Sequence, residues 1–240
     1  MNEIRAMLFD LDGTLLDSAP DLVASLNWVR QTEGMPPLRV CDMRKYASRG
    51  ALGLLLAGMP TADAATVESW RLRFLEHYAQ NSFRDTAPYD GIGELLQSLF
   101  RAQMPWGIVT NKIESLTHPI VAAAQWSKLV SCVVCGDTLN HSKPHPAPVL
   151  RACELLGVLP AQTIFVGDDV RDIQAGRAAG CQTAAVFYGY GSHELEDQDV
   201  AGSFPVHHPL DLVALIKQSE GTSGGESKDS GRCPSKTYEQ

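Results

Sequence analysis

Met7-Leu8-Phe9-Asp10-Leu11-Asp12-Gly13-Thr14 is the stretch that decides the reading of this chain. A short apolar run stops at two aspartates separated by one residue. Apolar runs of that length bounded by turn residues read as buried strands. In open sheets built from alternating strands and helices, chemistry collects beyond the carboxyl ends of the strands. The stretch therefore sets two carboxylates at the mouth of a sheet. One can attack and bind a metal; the other can move a proton.

Working outward, further apolar runs end in polar clusters at Trp106–Val109, Val130–Val134, Ile164–Val166 and Thr183–Phe187. Helix-like stretches lie among them: Thr117–Trp126, Ala147–Leu156 (Val149, Leu150, Cys153 and Leu156 at helical spacing) and Asp172–Ala179. Alternation of strand and helix predicts an α/β fold, a Rossmann-like doubly wound parallel sheet covered on both faces. Residues 18–83 break the rhythm. Leu22, Val23, Leu26 and Val29 recur with helical period, Ser18 is placed as an N-cap, and Gly34-Met35-Pro36-Pro37 stops that helix. Val67, Trp70, Leu72, Phe74, Leu75 and Tyr78 mark another, and no strand is evident between. Pro88-Tyr89-Asp90-Gly91 is a return turn, after which Glu94, Leu95, Leu96, Leu99 and Phe100 begin a core helix. The division expected is an α/β core over 1–17 and 84–218, an inserted all-helical cap over 18–83, and a disordered tail over 219–240, which is too poor in apolar residues to offset its ordering entropy.

A chain of 240 residues with a formal net charge of -8 lacks the basic footprint of a nucleic-acid binder and is unsuited to anionic membranes. Its amino-terminal residues lack a signal-peptide pattern, and no run approaches the ~18 apolar residues of a membrane span. A cytoplasmic protein, monomer or homodimer, is expected. The six cysteines are scattered. Cys132 and Cys135 form a C-x-x-C, but a strand would send them to opposite faces, and no matching Cys/His pair accompanies them.

Four pieces stand at or near strand ends: Asp10 with Asp12; Thr110-Asn111; Lys143 in Ser142-Lys143-Pro144-His145-Pro146; and Gly167-Asp168-Asp169, with Asp172 one helical turn on. They suit displacement at a phosphate ester, whose negative oxygens repel a nucleophile unless charge is neutralised around it. Two like charges ~4 Å apart cost roughly 4 kcal/mol at an effective dielectric of 20. A cluster of Asp10, Asp12, Asp168, Asp169 and Asp172 is therefore hard to justify without a hard divalent cation, and all-oxygen donors favour Mg²⁺. Lys143 adds positive charge, Thr110 a hydroxyl, and the amides following Asp10, at Gly13 and Thr14, can face phosphoryl oxygens.

With these segments the chain resembles the haloacid-dehalogenase-like phosphatase superfamily, in the branch with a helical cap inserted after the first strand. The resemblance runs from Met7 to about Leu215. It rests on Phe9-Asp10-Leu11-Asp12-Gly13-Thr14-Leu15, Val109-Thr110-Asn111-Lys112, Lys143-Pro144-His145-Pro146 and Phe165-Val166-Gly167-Asp168-Asp169. It implies an aspartyl-phosphate on Asp10, with Asp12 as acid and then base. It implies Mg²⁺ held by Asp10, the backbone carbonyl of Asp12 and Asp168, with Asp169 nearby. Thr110, Lys143, Asn111, Gly13 and Thr14 would bind the phosphoryl group, and Asp172 would orient Lys143. Within the branch the chain is similar to phosphoglycolate phosphatases (Asp17-Ser18-Ala19-Pro20-Asp21, Tyr188-Gly189-Tyr190). It is also similar to N-acetylmuramate 6-phosphate phosphatases (Trp106-Gly107, Asp168-Asp169-Val170-Arg171-Asp172). The implied partner is a small phosphorylated metabolite, 2-phosphoglycolate first, with N-acetylmuramate 6-phosphate or another sugar phosphate as the alternative. The cap loop Ser48-Arg49-Gly50 is expected to choose it, with Arg49 clamping a carboxylate.

Plainer readings stand beside these. Asp169 is also a favourable residue for a helix start, Asp172 and His145 can be structural, Arg49 can be a surface charge, and His207-His208 lacks further metal ligands. Trp28, Trp70, Trp106 and Trp126 are expected in cores or seams. Among other classes, a phospho-accepting receiver domain would have neither Asp12 nor a cap, a dehalogenase would not need the metal cluster, and a phosphomutase would use nearly the same residues. Hinges are expected near Leu16–Ser18 and Ala87–Tyr89.

Overall fold

The computed structural model describes residues 3–216, so the expected tail lies outside the described residues. The chain runs β1 (Ala6–Phe9), β2 (Leu16–Asp17), α1 (Ala19–Thr32), α2 (Val40–Met43), a 3-10 segment (Arg44–Arg49), α3 (Gly50–Gly58), α4 (Ala64–Asn81) and β3 (Ala87–Pro88). It continues α5 (Ile92–Arg101), β4 (Trp106–Val109), α6 (Glu114–Ala123), β5 (Cys132–Val134), α7 (Ala147–Leu156), β6 (Thr163–Gly167), α8 (Val170–Ala178), β7 (Gln182–Val186), α9 (Asp197–Val200) and β8 (Phe204–Val206).

Six strands form one parallel sheet in the order β5-β4-β1-β6-β7-β8. This is the α/β doubly wound fold. β1 lies between β4 and β6, with Phe9 level with Ile108 on one side and Val166 on the other. The chain moves one way from β1 to reach β4 and the other way to reach β6, which opens a crevice at the carboxyl end of β1. Residues after β1, β4 and β6 are thereby brought together.

Alternation along β1 divides the core. Met7 and Phe9 join a cluster that runs through Leu22, Val23 and Leu26 to Phe74 and Tyr78, so one apolar body unites sheet and helical insertion. Leu8 faces the other way, with Val109, Phe165 and the α7 residues Val149, Ala152 and Cys153.

The helices α1–α4 lie between the two strands of a small antiparallel ribbon, in which Leu16 pairs with Pro88 and Asp17 with Ala87. Asp21, buried in the first turn of α1, holds the returning segment. Its carboxylate accepts from the amides of Arg84, Asp85 and Thr86 at 2.9–3.1 Å and from the Thr86 hydroxyl at 2.6 Å.

Several local readings are corrected. Ser18 occupies the N-cap position of α1 but makes no capping bond; its hydroxyl is used elsewhere. β8 was not foreseen, because Pro205 interrupts its run; as an edge strand it can carry a residue without an N–H. α6 starts at Glu114 rather than Thr117, since Asp137 accepts the Glu114 amide, and Gln125 at φ 62 ends it before Trp126. Cys135 lies one residue beyond β5, and both it and Cys132 are buried free thiols. Trp28 is on the surface of the insertion, stacked on His77, and Phe100 and Leu72 point outward.

Replacing Asp21 by Ala strands the buried amide and hydroxyl of Thr86 and takes the acceptor from the more accessible amides of Arg84 and Asp85. Unsatisfied groups of this kind cost about 1–3 kcal/mol each at most, with partial rescue by water. Urea denaturation of Asp21→Ala should show a loss of roughly 3 kcal/mol; a loss below ~0.5 kcal/mol would mean that Asp21 does not secure the return segment.

Candidate active site

Asp10 follows β1, Asp168 follows β6, and Asp172 sits in the first turn of α8. All three are buried, and one oxygen of each lies within 4.8 Å of the others. Lys143, also buried, enters from the loop between β5 and α7. Its Nζ lies 2.7 Å from Asp10 Oδ1 and 2.7 Å from Asp172 Oδ1, and it donates to the Val109 carbonyl at 2.9 Å. Burial works against the charge on Lys143, but Asp10 and Asp172 outweigh it and raise its pKa. Burial, then the Asp10 and Asp172 charges, push the Asp168 carboxyl well above the usual range, although Gly191 N–H and the Thr14 hydroxyl donate to it at 2.7 and 2.9 Å. One ammonium does not balance three carboxylates. The donor set is all oxygen, and a hard cation fits it.

Asp12 faces another way. Its Oδ1 accepts from Ser18 Oγ at 2.6 Å, and its Oδ2 accepts from Lys112 Nζ at 2.6 Å. Its carboxylate is not part of the Asp10–Asp168–Asp172 oxygen group. Lys112 also donates to Tyr78 Oη at 3.0 Å, with the ammonium 4.7 Å from the ring centroid. Burial pushes the Tyr78 phenol up to about 12, so it is a neutral hydroxyl there.

The other expected residues take distinct places. Thr110 is buried after β4, and its hydroxyl accepts from the Lys112 amide at 3.2 Å. Asn111 exchanges two bonds with the Lys143 backbone, both 2.9 Å, and so fixes the loop that carries the lysine. Thr14 spends its hydroxyl on Asp168. Gly13 has φ 90, and a Cβ there would stand 2.2 Å from Asp168 Oδ2. Asp169 caps α8 and holds Arg171 through two 2.7 Å contacts; its pKa is lowered because Arg171 outweighs burial. Arg49 is at the rim of the site, paired with Glu194 at 2.7 Å, and Gly50 follows at φ 63.

Four residues at the site were not singled out from sequence. Lys112 lay inside a quoted motif, but nothing in spacing says that it reaches Asp12. Tyr78 and Glu194 come from remote segments. Arg171 reaches from α8 to the Ser48 carbonyl in the insertion, at 2.7 Å. His145 has a local role, its Nδ1 accepting from the Ala147 amide at 3.1 Å, and His208 likewise serves a turn, accepting from the Leu210 amide at 3.3 Å. Among the described residues, the Asp10–Asp168–Asp172 group is the metal-capable cluster.

A cavity of about 530 Å³ opens above these groups. Asp10, Asp12 and Lys143 lie at its base; Leu22, Phe74 and Tyr78 of the insertion line its upper wall, and Arg49 and Arg71 line it too.

The family model for haloacid dehalogenase-like hydrolases matches residues 7–186. The chain belongs to the haloacid dehalogenase-like hydrolases. It is 39% identical to an N-acetylmuramic acid 6-phosphate phosphatase of Pseudomonas aeruginosa, over 90% of this chain and 96% of that one. It is 43% identical to a phosphoglycolate phosphatase of Xylella fastidiosa, over 79% and 83%. A solved structure of a predicted phosphoglycolate phosphatase from Haemophilus somnus superposes with a TM-score of 0.79 at 27% identity, over 90% of this chain and 99% of that one. The chain is accordingly a phosphatase. Phosphatases of this family generally use a divalent metal, and the three-aspartate cluster supplies oxygen donors for one. No helix among the described residues is long and apolar enough to cross a membrane.

Gly13→Ala forces either the backbone or Asp168 to move. Calorimetric titration with Mg²⁺ should show affinity at least roughly tenfold weaker than wild type, the scale on which disturbed ligand supports act. Unchanged affinity would mean that Asp168 does not help to hold the ion.

Proposed function

We propose that this phosphatase is a Mg²⁺-dependent phosphomonoesterase that works through an aspartyl-phosphate on Asp10. The observation that supports it is the Asp10–Lys143–Asp172–Asp168 cluster at the base of a cavity, with a second, separately held carboxylate, Asp12, beside it. An Asp10 oxygen attacks phosphorus as the ester bond breaks, and the leaving alcohol takes its proton from Asp12. Asp12, now a carboxylate, takes a proton from the water that attacks the phosphoryl group, and Asp10 is released with inorganic phosphate. Lys143 draws negative charge from the transferring group, aided by the Thr110 hydroxyl. Asp10, Asp168 and the Asp12 backbone oxygen would hold Mg²⁺, which neutralises phosphoryl charge when bound. Asp172 orients Lys143, and Asp169 serves α8 and Arg171.

Residues 18–83 act as a lid, hinged at the Leu16–Asp17 and Ala87–Pro88 ribbon, that excludes bulk water. The alcohol part of the substrate carries a carboxylate, which Arg49 takes up in exchange for Glu194. 2-Phosphoglycolate is one such ester, as the names of several relatives suggest. N-acetylmuramate 6-phosphate is the second reading, and one observation favours it: a two-carbon acid leaves most of a 530 Å³ cavity empty.

Asp10→Asn should lower turnover of p-nitrophenyl phosphate by at least ~10³, while circular dichroism stays unchanged; near-normal turnover would remove Asp10 as nucleophile. EDTA should silence the wild type and Mg²⁺ restore it. Activity that persists in chelator would overturn the metal assignment. Measured side by side, kcat/KM for the two acids decides between them, and Arg49→Ala should lower it for the preferred acid at least about tenfold more than for p-nitrophenyl phosphate. Equal losses on both would exclude the clamp.

A further inference from the structure

We propose that Lys112 and Tyr78 are positioning residues through which the helical insertion aims the Asp12 carboxylate at the leaving group. The proposal rests on the reading of Asp12 as proton donor.

Each oxygen of Asp12 is held by a group tied to the insertion. Oδ1 is bound by Ser18, the residue that joins β2 to α1, and Ser18 Oγ is also 2.9 Å from Tyr190 Oη. Oδ2 is bound by Lys112, whose ammonium donates in turn to Tyr78 Oη on α4. Tyr78 is 1% exposed, and the Lys112 side chain is 7% exposed. A buried ammonium needs its partners, because water is not there to replace them. With α4 docked, Lys112 has two acceptors, Asp12 Oδ2 and Tyr78 Oη, and the direction of its N–H groups is set by both. With α4 displaced, Tyr78 Oη leaves and water reaches the ammonium, so Asp12 loses a fixed neighbour. Proton donation then becomes effective when the lid is seated over substrate, and the acid is less well aimed when the site is open.

Such a role has a signature that packing lacks. An alkoxide needs a proton as it departs, whereas 2,4-dinitrophenolate leaves without one. Single-turnover phosphoryl transfer, with Mg²⁺-loaded enzyme in excess, separates this step from hydrolysis of the phospho-enzyme. The esters are 2,4-dinitrophenyl phosphate and whichever of 2-phosphoglycolate and N-acetylmuramate 6-phosphate the wild type turns over faster. Tyr78→Phe keeps the ring and its contact with Phe74, 6.3 Å between centroids, and thermal melting verifies its fold. It should slow transfer from the alkyl ester roughly tenfold and from the aryl ester at most about twofold. Lys112→Met should widen that difference to ~100-fold, and Lys112→Arg should recover part of it. Equal losses on the two esters would overturn the proposal. Inversion of configuration at phosphorus, measured on a chiral phosphorothioate ester with the wild type, would instead remove the Asp10 intermediate, and with it the step that Asp12 is aimed to assist.

Discussion

Three buried carboxylates lie together and only two of them, Asp10 and Asp172, pair with the one buried lysine, and the rest of the structure answers to that imbalance. At ~4 Å separation each like-charged pair costs about 4 kcal/mol at an effective dielectric of 20, so Asp10, Asp168 and Asp172 would not lie together on their own account. The fold holds them by force of position. β1 is flanked by β4 and β6, Asn111 fixes the loop bearing Lys143, and Thr14 and the Gly191 amide steady Asp168. Space is as closely specified as charge: a Cβ at Gly13, Gly189 or Gly167 would strike Asp168 or Asp172. Removing one partner from such a group is costly, because it leaves uncompensated charge in a dry place.

Two aspartates separated by one residue are thereby given different surroundings. Asp10 meets Lys143, buried within the core; Asp12 meets Lys112, which faces the insertion. Separate environments for paired carboxylates are a general way to assign them separate tasks. The ribbon of Leu16–Asp17 with Ala87–Pro88 enters and leaves the insertion within a few residues of Asp12. The helical insertion and Asp12 are therefore close in sequence and linked again in space through Lys112 and Tyr78.

The sheet was legible because buried parallel strands read as apolar runs, and the aspartate–lysine cluster because strand ends carry it. Trp106–Val109 and Ala147–Leu156 have the bounds expected of them. Reading failed where a residue works against its type. Pro205 hid an edge strand, and Ser18 left its cap for Asp12. Phe100 and Leu72 match a helical period but face outward, since periodicity gives a stripe and not its width. The reach of Lys112 to Asp12, 100 residues away, and of Arg171 to Ser48, depends on tertiary placement that no local pattern encodes.

The stereochemical course at phosphorus tests the covalent role of Asp10 most directly. A phosphorothioate ester made chiral at phosphorus with two oxygen isotopes, turned over in water carrying the third, passes through two in-line displacements if Asp10 carries the thiophosphoryl group. Net retention of configuration is expected. Inversion would mean that water attacks the ester in one step, and that Asp10 never bonds to phosphorus.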